Sequence, residues 1–217
     1  MNPERAAQNL EVIRQLMERP VKISTQSGLG AILAGCATIA GAIFDSHISA
    51  SLNRSDEDRQ IAFWINIGVW AVVFVVSMAA SLGLMRLREF RRHLPFWTPA
   101  KRRILSTIIW PFIAGVGLNA AIMYRWYHGI GPNQWGLIPP IWMITYGLAC
   151  WGVGQYSINE IKVMGAAFIL SGLATAAFFQ SDFPGIDRGM APYLTLGITF
   201  GGFHIVYGTI VWARHGG

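Results

Sequence analysis

Hydrophobic residues fall into six long runs along the chain, separated by short polar segments. The runs cover residues 27–44, 61–85, 104–123, 136–155, 163–180 and 191–212. None of them contains Asp, Glu, Lys or Arg, and each is close to the ~20 residues that a helix needs to cross a bilayer. Because lipid offers no hydrogen bonds to the backbone, runs of this length indicate helices. The pattern predicts an all-α, polytopic integral membrane protein with a six-helix transmembrane bundle over residues 27–212.

The composition argues against an ordinary soluble domain. Only 13% of the residues are charged, whereas soluble domains carry about 25%. The two cysteines, Cys36 and Cys150, lie inside apolar runs, so the sequence indicates no disulfide framework.

Residues 1–26 precede the first run and predict a short cytoplasmic amphipathic helix followed by a linker. Asn2 suits an N-cap and Pro3 suits a first helical turn. One face of this helix would carry Leu10, Ile13, Leu16 and Met17. The segment has no short apolar core that ends in a small-residue cleavage site, so we expect the first run to remain as an anchor. Residues 213–217 are expected to form a short tail.

The basic residues give the orientation. If the N-terminus is cytoplasmic, 13 of the 17 Lys and Arg residues lie in cytoplasmic segments. The outside segments then keep Arg54, Arg59, Arg125 and Arg188, together with six acids that include Asp45. This positive-inside bias predicts a multi-pass protein with both termini in the cytoplasm.

The segment 86–103 is the most basic part of the chain, and it predicts contact with anionic lipid headgroups. The residues expected to make this contact are Arg86, Arg88, Arg91, Arg92, Lys101, Arg102 and Arg103. Docking of an acidic partner is the alternative interpretation. Nucleic acid is not expected as a partner, because no recognition fold accompanies the charge.

Small residues form a stripe on the first run and recur on the last. The first stripe consists of Gly28, Ala31, Gly35, Thr38 and Ala42, and the second of Gly197, Gly201 and Gly208. Such stripes let membrane helices approach closely. They predict helix packing within the bundle or between copies in a homo-oligomer.

Four polar side chains inside the runs are candidate ligand-binding residues: His204, Tyr207, Tyr146 and Ser171. His204 shares a helical face with the glycines of the last run, so we expect it to point into the bundle. Ionisable residues at membrane depth are frequently functional. The alternative is a structural hydrogen bond to a neighbouring helix.

No catalytic signature is visible in the sequence. It has no nucleophile–base pair, phosphate loop or metal-binding motif, so we expect a protein that is not an enzyme and holds no metal. The runs contain no carboxylate, which argues against a proton- or sodium-coupled pathway. A haem would need a second axial ligand besides His204, and Met78, Met143 and Met164 are the candidates.

Four segments together resemble a group of small six-span bacterial membrane proteins. They are LMERP at 16–20, SGLGAILAG at 27–35, PPIWMITYGLA at 139–149 and GGFHIVYG at 201–208. The resemblance implies an N-terminal LMER-type amphipathic helix, a C-terminal HIxYG-type motif and a place in the bacterial cytoplasmic (inner) membrane. Members of the group often stand beside a gene for a small winged-helix regulator. The resemblance implies no activity.

These observations favour a non-enzymatic sensor, regulatory or assembly subunit that acts through residues 1–26 and the 86–103 loop. The first alternative is a small-molecule transporter or channel with a midplane site around His204 and Tyr207. A water-filled cavity that reaches His204 would favour this alternative, whereas a dry, tightly packed interior would count against it. The second alternative is a haem-binding redox subunit.

Overall fold

A computed structural model describes residues 27–52, 55–91, 93, 97–132, 134–178 and 189–215. These residues form helices and contain no strand. The elements are α1 (Gly28–Leu52), α2 (Asp56–Arg91), α3 (Pro99–Tyr127), a 3₁₀ turn (Trp135–Leu137), α4 (Ile138–Gly154), α5 (Asn159–Phe178), α6 (Ala191–Leu196), a π-helical segment (Gly197–Phe203) and α7 (His204–His215). The last three follow one another without a break and are called the last helix below.

The predicted all-helical architecture is confirmed for the described part of the chain, where six helices are long and apolar enough to cross a membrane. The predicted amphipathic helix in residues 1–26 lies outside the described residues, as do residues 216 and 217.

The helices extend beyond several of the apolar runs, most of all in α1 and α2. The first run ends at residue 44 whereas α1 ends at Leu52, and α2 extends past both ends of the run 61–85. α3 likewise begins at Pro99, before the run 104–123. The Thr98 side chain caps this start by accepting a hydrogen bond from the backbone N–H of Lys101 at 3.3 Å. Polar residues end an apolar run without ending the helix, because they still form backbone hydrogen bonds. A run therefore marks the apolar length of a helix and not its ends.

The helices form a ring in which one pair of neighbours, α2 and α3, is loosely packed. α1 packs against α2 on one side and against the last helix on the other, while α4 packs between α3 and α5. The last helix also approaches α4 and α5, which completes the ring. α2 and α3 are consecutive along the chain but have few close backbone contacts. The ring therefore has an interior and a weak seam between α2 and α3.

Two pairs of glycines hold α1 against the last helix. A Cβ atom on Gly35 would lie 2.6 Å from the carbonyl oxygen of Gly201, and one on Gly208 would lie 2.5 Å from the carbonyl oxygen of Gly28. The other members of the first small-residue stripe, Ala31, Thr38 and Ala42, are buried. Backbones that approach this closely exclude a side chain at these positions. Both predicted stripes thus take part in one helix contact within the chain.

Large apolar side chains cover the outer faces of the helices. The exposed fraction is 72% for Trp110, 69% for Val163 and 67% for Leu170. Soluble monomers rarely expose contiguous apolar surface on this scale. The outer surface is therefore suited to lipid rather than to water.

Candidate functional site

Tyr146 on α4 and His204 at the start of α7 form a hydrogen bond between helices, with 2.7 Å between Tyr146 Oη and His204 Nε2. The other ring nitrogen of His204, Nδ1, lies 2.7 Å from the carbonyl oxygen of Phe200. A carbonyl oxygen only accepts, so Nδ1 carries the ring hydrogen. In the neutral ring, Nε2 then accepts the hydrogen bond that the Tyr146 hydroxyl donates.

The Tyr146–His204 pair lies near the middle of both helices. Tyr146 is the central residue of α4 (Ile138–Gly154). The last helix is long and apolar enough to cross a membrane over Ala191–Arg214, and His204 lies about 2 Å from the centre of that stretch at 1.5 Å per residue.

The π-helical segment Gly197–Phe203 ends directly before His204. π-helical turns inside α-helices are rare and often occur at functional sites. Here the segment contains the Phe200 carbonyl that accepts from Nδ1 of His204. The backbone irregularity and the side-chain hydrogen bond therefore fix the ring orientation together.

Aromatic rings surround His204 and limit its motion. Its ring centroid lies 5.7 Å from that of Phe168 and 5.3 Å from that of Tyr146. Phe168 has no exposed surface and also contacts Phe200, at 4.7 Å between centroids. The pair is held in a rigid aromatic setting.

The orientation of His204 differs in one respect from the sequence expectation. Spacing placed His204 on the same face as Gly201 and Gly208, but that face packs against α1, where Ile205 lies next to Gly35. His204 lies beside this face and points toward α4. The π-helical segment shifts the helical register between residues 197 and 204, which a regular 3.6-residue period does not anticipate.

A half-open cavity of about 2130 Å³ lies between the helices, and its wall includes Tyr146, His204 and Tyr207. It extends from Ser27, Met85 and Lys101 at one end of the bundle to Ser49, Trp126 and Tyr193 at the other. Ligand sites commonly measure 300–1,000 Å³. The cavity therefore has room for a molecule of lipid-like size.

The cavity wall is mostly apolar and rich in tryptophan. Its tryptophans are Trp70, Trp97, Trp126, Trp135 and Trp142. Asn119 is a polar exception: it is 5% exposed, and its Nδ2 donates to the Gly115 carbonyl at 2.8 Å. Its Oδ1 has no hydrogen-bond partner in the described structure. This oxygen is itself buried.

The structure brings together three of the four candidate ligand residues. Tyr207 is 8% exposed and lines the same cavity as Tyr146 and His204. Ser171 is separate from them, because its hydroxyl donates to the Ala167 carbonyl of its own helix at 2.7 Å and it does not line the cavity.

Side-chain contacts join α2 and α3 along the seam. The Phe63 ring stacks on Trp126 with 5.1 Å between centroids, and the Phe74 ring lies 5.7 Å from that of Phe112. At the opposite end, Lys101 Nζ forms an ion pair with Glu89 Oε1. Side chains rather than packed backbones therefore join these two helices.

Asp45 is a buried acid that the sequence interpretation missed. Assigning it to a loop is wrong, because α1 continues to Leu52 and Asp45 has no exposed surface. Asn66 Nδ2 donates to Asp45 Oδ2 at 2.5 Å, and Trp70 Nε1 donates to the same oxygen at 2.8 Å. The available signal was the spacing of Asn66 and Trp70, which puts two donors on one face of a helix. The bundle therefore contains a buried carboxylate, and the absence of acids from the apolar runs does not count against ion coupling.

The residues of the basic segment 86–103 differ in their surroundings. Arg86, Arg91, Arg102 and Arg103 are exposed and Arg88 is half-buried, while Arg92 lies outside the described residues. The side chain of Lys101 is only 12% exposed and pairs with Glu89, which is 3% exposed. Lys101 is therefore far less accessible to a headgroup than the exposed arginines.

Within the described ranges, no group of three or more His, Cys, Asp or Glu residues could hold a metal ion. Both ring nitrogens of His204 are engaged in hydrogen bonds, so haem ligation there would require breaking the Tyr146–His204 bond. Comparisons with protein families, with curated proteins and with solved structures found no match.

Proposed function

We propose that the protein is a non-enzymatic integral protein of the bacterial cytoplasmic membrane that binds a small amphipathic molecule and carries it across the bilayer. The observation that carries this proposal is the cavity that reaches the Tyr146–His204 pair. The six apolar helices and the apolar outer surface support the membrane location.

The proposed orientation has both termini in the cytoplasm. The end of the bundle that carries Arg86, Arg91, Arg102 and Arg103 is then cytoplasmic, as the positive-inside rule requires. These exposed arginines would contact anionic headgroups there. We call this the basic end.

The dimensions of the cavity suit carriage better than a purely structural role. A packed bundle core contains few voids larger than a water molecule. This cavity is far larger, and residues of its wall lie near both ends of the bundle. A bound molecule would thus meet Tyr146 and His204 midway between the two ends.

The cavity wall specifies the chemistry of its occupant. Tryptophan and methionine side chains accommodate apolar bodies of varied shape. Polar side chains are a minority of the wall, and among them the Tyr146 hydroxyl already donates to His204. We therefore expect a molecule that is largely apolar.

The seam between α2 and α3 gives the occupant a lateral route from the lipid. Phe74 and Phe112, which meet at the seam, both line the cavity and are both exposed on their helices. Movement of α2 away from α3 would separate these two aromatic side chains and open a path. An amphipathic molecule dissolved in the bilayer could then reach the cavity directly.

The sensor or assembly role stays a prediction, since residues 1–26 lie outside the described residues. A homo-oligomer also stays a prediction. It would need a surface other than the two glycine stripes, because these pack against each other within one chain.

The test of binding is to extract the protein with its lipids in polymer nanodiscs and to identify bound molecules by mass spectrometry. Ala120→Trp fills the cavity wall, while Ala121→Trp places the same ring on α3 outside the wall. We expect the first variant to lose a molecule that wild type and the second variant retain. Equal retention in all three would contradict the proposal.

Carriage is tested separately from binding. Proteoliposomes loaded with the identified molecule are diluted into medium that contains its isotope-labelled form, and exchange is followed by mass spectrometry. We expect exchange with wild type and Ala121→Trp but not with Ala120→Trp. Retention of the bound molecule without exchange across the membrane would mean that the protein binds the molecule but does not carry it.

A further inference from the structure

The Asp45 carboxylate is hydrogen-bonded on one oxygen and unpartnered on the other. Both donors, Asn66 and Trp70, approach Oδ2. Oδ1 is buried and has no hydrogen-bond partner in the described structure. A buried carboxylate oxygen without a partner carries a substantial desolvation cost. Oδ1 is therefore the natural position for a proton.

No described cation neutralises Asp45. From α2 it is faced by Asn66 and Trp70, which do not titrate in the range of interest. From the last helix it is faced by Tyr193, whose hydroxyl lies 2.7 Å from Ser49 Oγ, one turn beyond Asp45 on α1. The described ion pairs involve other residues. An ionised Asp45 thus depends on the hydrogen bonds from Asn66 and Trp70 and on the nearby Ser49 hydroxyl, with no described cation beside it, which makes proton uptake the available alternative.

Asp45 lies at membrane depth in the proposed orientation. It directly follows the first apolar run, residues 27–44. At 1.5 Å per residue this places it about 14 Å from the centre of that run, just inside a hydrocarbon layer of about 15 Å on each side. Acids at this depth commonly mark proton or ion pathways.

The hydrogen bonds of Asp45 join α2 to α1. α2 packs against α1 but makes few close backbone contacts with α3, so its position depends on the α1–α2 contact. Asn66 and Trp70 also line the cavity. Ionised Asp45 accepts strong hydrogen bonds from both residues, and a protonated carboxyl accepts weaker ones. Proton binding would therefore weaken the polar part of the α1–α2 contact, and α2 forms one side of the seam.

We infer that Asp45 is a proton-binding site that couples the position of α2, and with it the opening of the seam, to proton movement. This inference rests on the proposed carriage of a small molecule through the cavity. It adds the energy source: a proton that binds Asp45 on one side of the membrane and leaves on the other would drive uptake or export.

The first experiment detects the proton itself. Infrared difference spectra of reconstituted protein are recorded over a pH series, and the carbonyl stretch of a protonated carboxylic acid is followed. We expect a titrating band in wild type that is absent in Asp45→Asn and retained in Glu57→Gln, a change at an exposed acid of α2. In Trp70→Phe, the band should persist to higher pH, because one hydrogen bond to the ionised oxygen is lost.

The second experiment measures the movement of α2. Spin labels are attached to Val76→Cys on α2 and Ile113→Cys on α3 in a Cys36→Ser background, since the remaining Cys150 is buried. Neither labelled position lines the cavity. We expect the α2–α3 distance to change with pH in wild type and in Glu57→Gln. In Asp45→Asn it should stay fixed.

The outcomes separate this inference from the proposed function. Retention of the bound molecule by Asp45→Asn, with loss of both pH responses, supports proton coupling. A titrating band that survives Asp45→Asn, or an α2 movement that follows Na⁺ at constant pH, overturns it and leaves ligand binding intact. If Asp45→Asn fails to fold, the inference is tested with Trp70→Phe alone. A carboxyl band that titrates at the same pH in Trp70→Phe as in wild type overturns the inference.

Discussion

Gly35 of α1 lies against Gly201 of the last helix, and a Cβ atom on Gly35 would stand 2.6 Å from the Gly201 carbonyl oxygen. Real Cβ atoms do not approach a backbone atom so closely, so the two helices would have to separate to admit a methyl group. The last helix carries His204 and Tyr207, both of which line the cavity. The glycine contact thus sets the position of the candidate site.

We predict that Gly35→Ala destabilises the bundle by about 1–3 kcal/mol, the usual cost of overpacking. Gly68→Ala is the matched control, because a Cβ on this glycine of α2 would meet nothing within 4 Å. Alanine also favours helix over glycine by up to about 1 kcal/mol, so the control should be neutral or slightly stabilising. Thermal unfolding of the two variants in the same detergent measures the difference. Equal melting temperatures would contradict the close contact.

Removing the Tyr146 hydroxyl should lower the stability of the bundle, because it leaves a ring nitrogen of His204 without a hydrogen-bond partner. In Tyr146→Phe the ring remains but Nε2 of His204 loses its donor, and a buried polar atom without a partner costs about 1–3 kcal/mol. Tyr124→Phe, at a tyrosine that is 60% exposed, should leave stability unchanged. The ¹⁵N shifts of selectively labelled histidine should also show Nδ1 protonated in wild type. A ring protonated on Nε2 instead would refute the assigned hydrogen-bond directions.

Much of the architecture could be predicted from the sequence, for a physical reason. A helix in lipid must present apolar residues over a fixed length, so six apolar runs indicate six helices with little ambiguity. The small-residue stripe around Gly35 likewise indicated a close helix contact, though not its partner. That partner depends on the arrangement of all six helices, which a local pattern does not contain.

The site was harder to predict, because its key features depend on contacts between distant segments. Asp45 follows the first apolar run and resembles a loop residue, yet Asn66 and Trp70 on the next helix offset the cost of burying it. The π-helical segment before His204 is likewise invisible to a regular helical period. The volume of the cavity depends on the distance between α2 and α3, and a local residue pattern does not determine that distance.

The ion pair between Glu89 and Lys101 gives a third prediction, at the basic end of the seam. Both side chains are largely buried, at 3% and 12% exposed. Glu89→Gln removes the ion pair that Lys101 forms with Glu89, and loss of one partner of a buried pair costs about 3 kcal/mol. We expect a lower melting temperature and partial recovery in the swapped variant Glu89→Lys/Lys101→Glu. Glu57→Gln is again the matched control. An equal decrease of the melting temperature in Glu57→Gln would contradict a specific contribution of the Glu89–Lys101 pair to stability.

Locking the seam tests whether the occupant passes between α2 and α3. Phe74 and Phe112 are replaced by cysteine in a Cys36→Ser background and joined with a short, reducible thiol cross-linker. Because the two rings meet across the seam, with 5.7 Å between their centroids, a linker about as long as the two rings together should join the two positions. We expect exchange of the bound molecule to slow after cross-linking and to recover when the linker is reduced.

The control for the locked seam joins α3 to α4, two helices that are already packed together. The rings of Phe112 and Trp142 lie 5.6 Å apart between centroids, and both residues line the cavity. The variant Phe112→Cys/Trp142→Cys therefore uses the same cross-linking reaction and also removes two aromatic rings from the cavity wall. This linker restrains helices that need not separate, so exchange should continue after cross-linking. Slowed exchange in both cross-linked proteins would mean that the lost rings or the linker, and not the seam, limit access. Unchanged exchange in both would mean that the occupant enters from an end of the bundle, and the lateral route would be wrong.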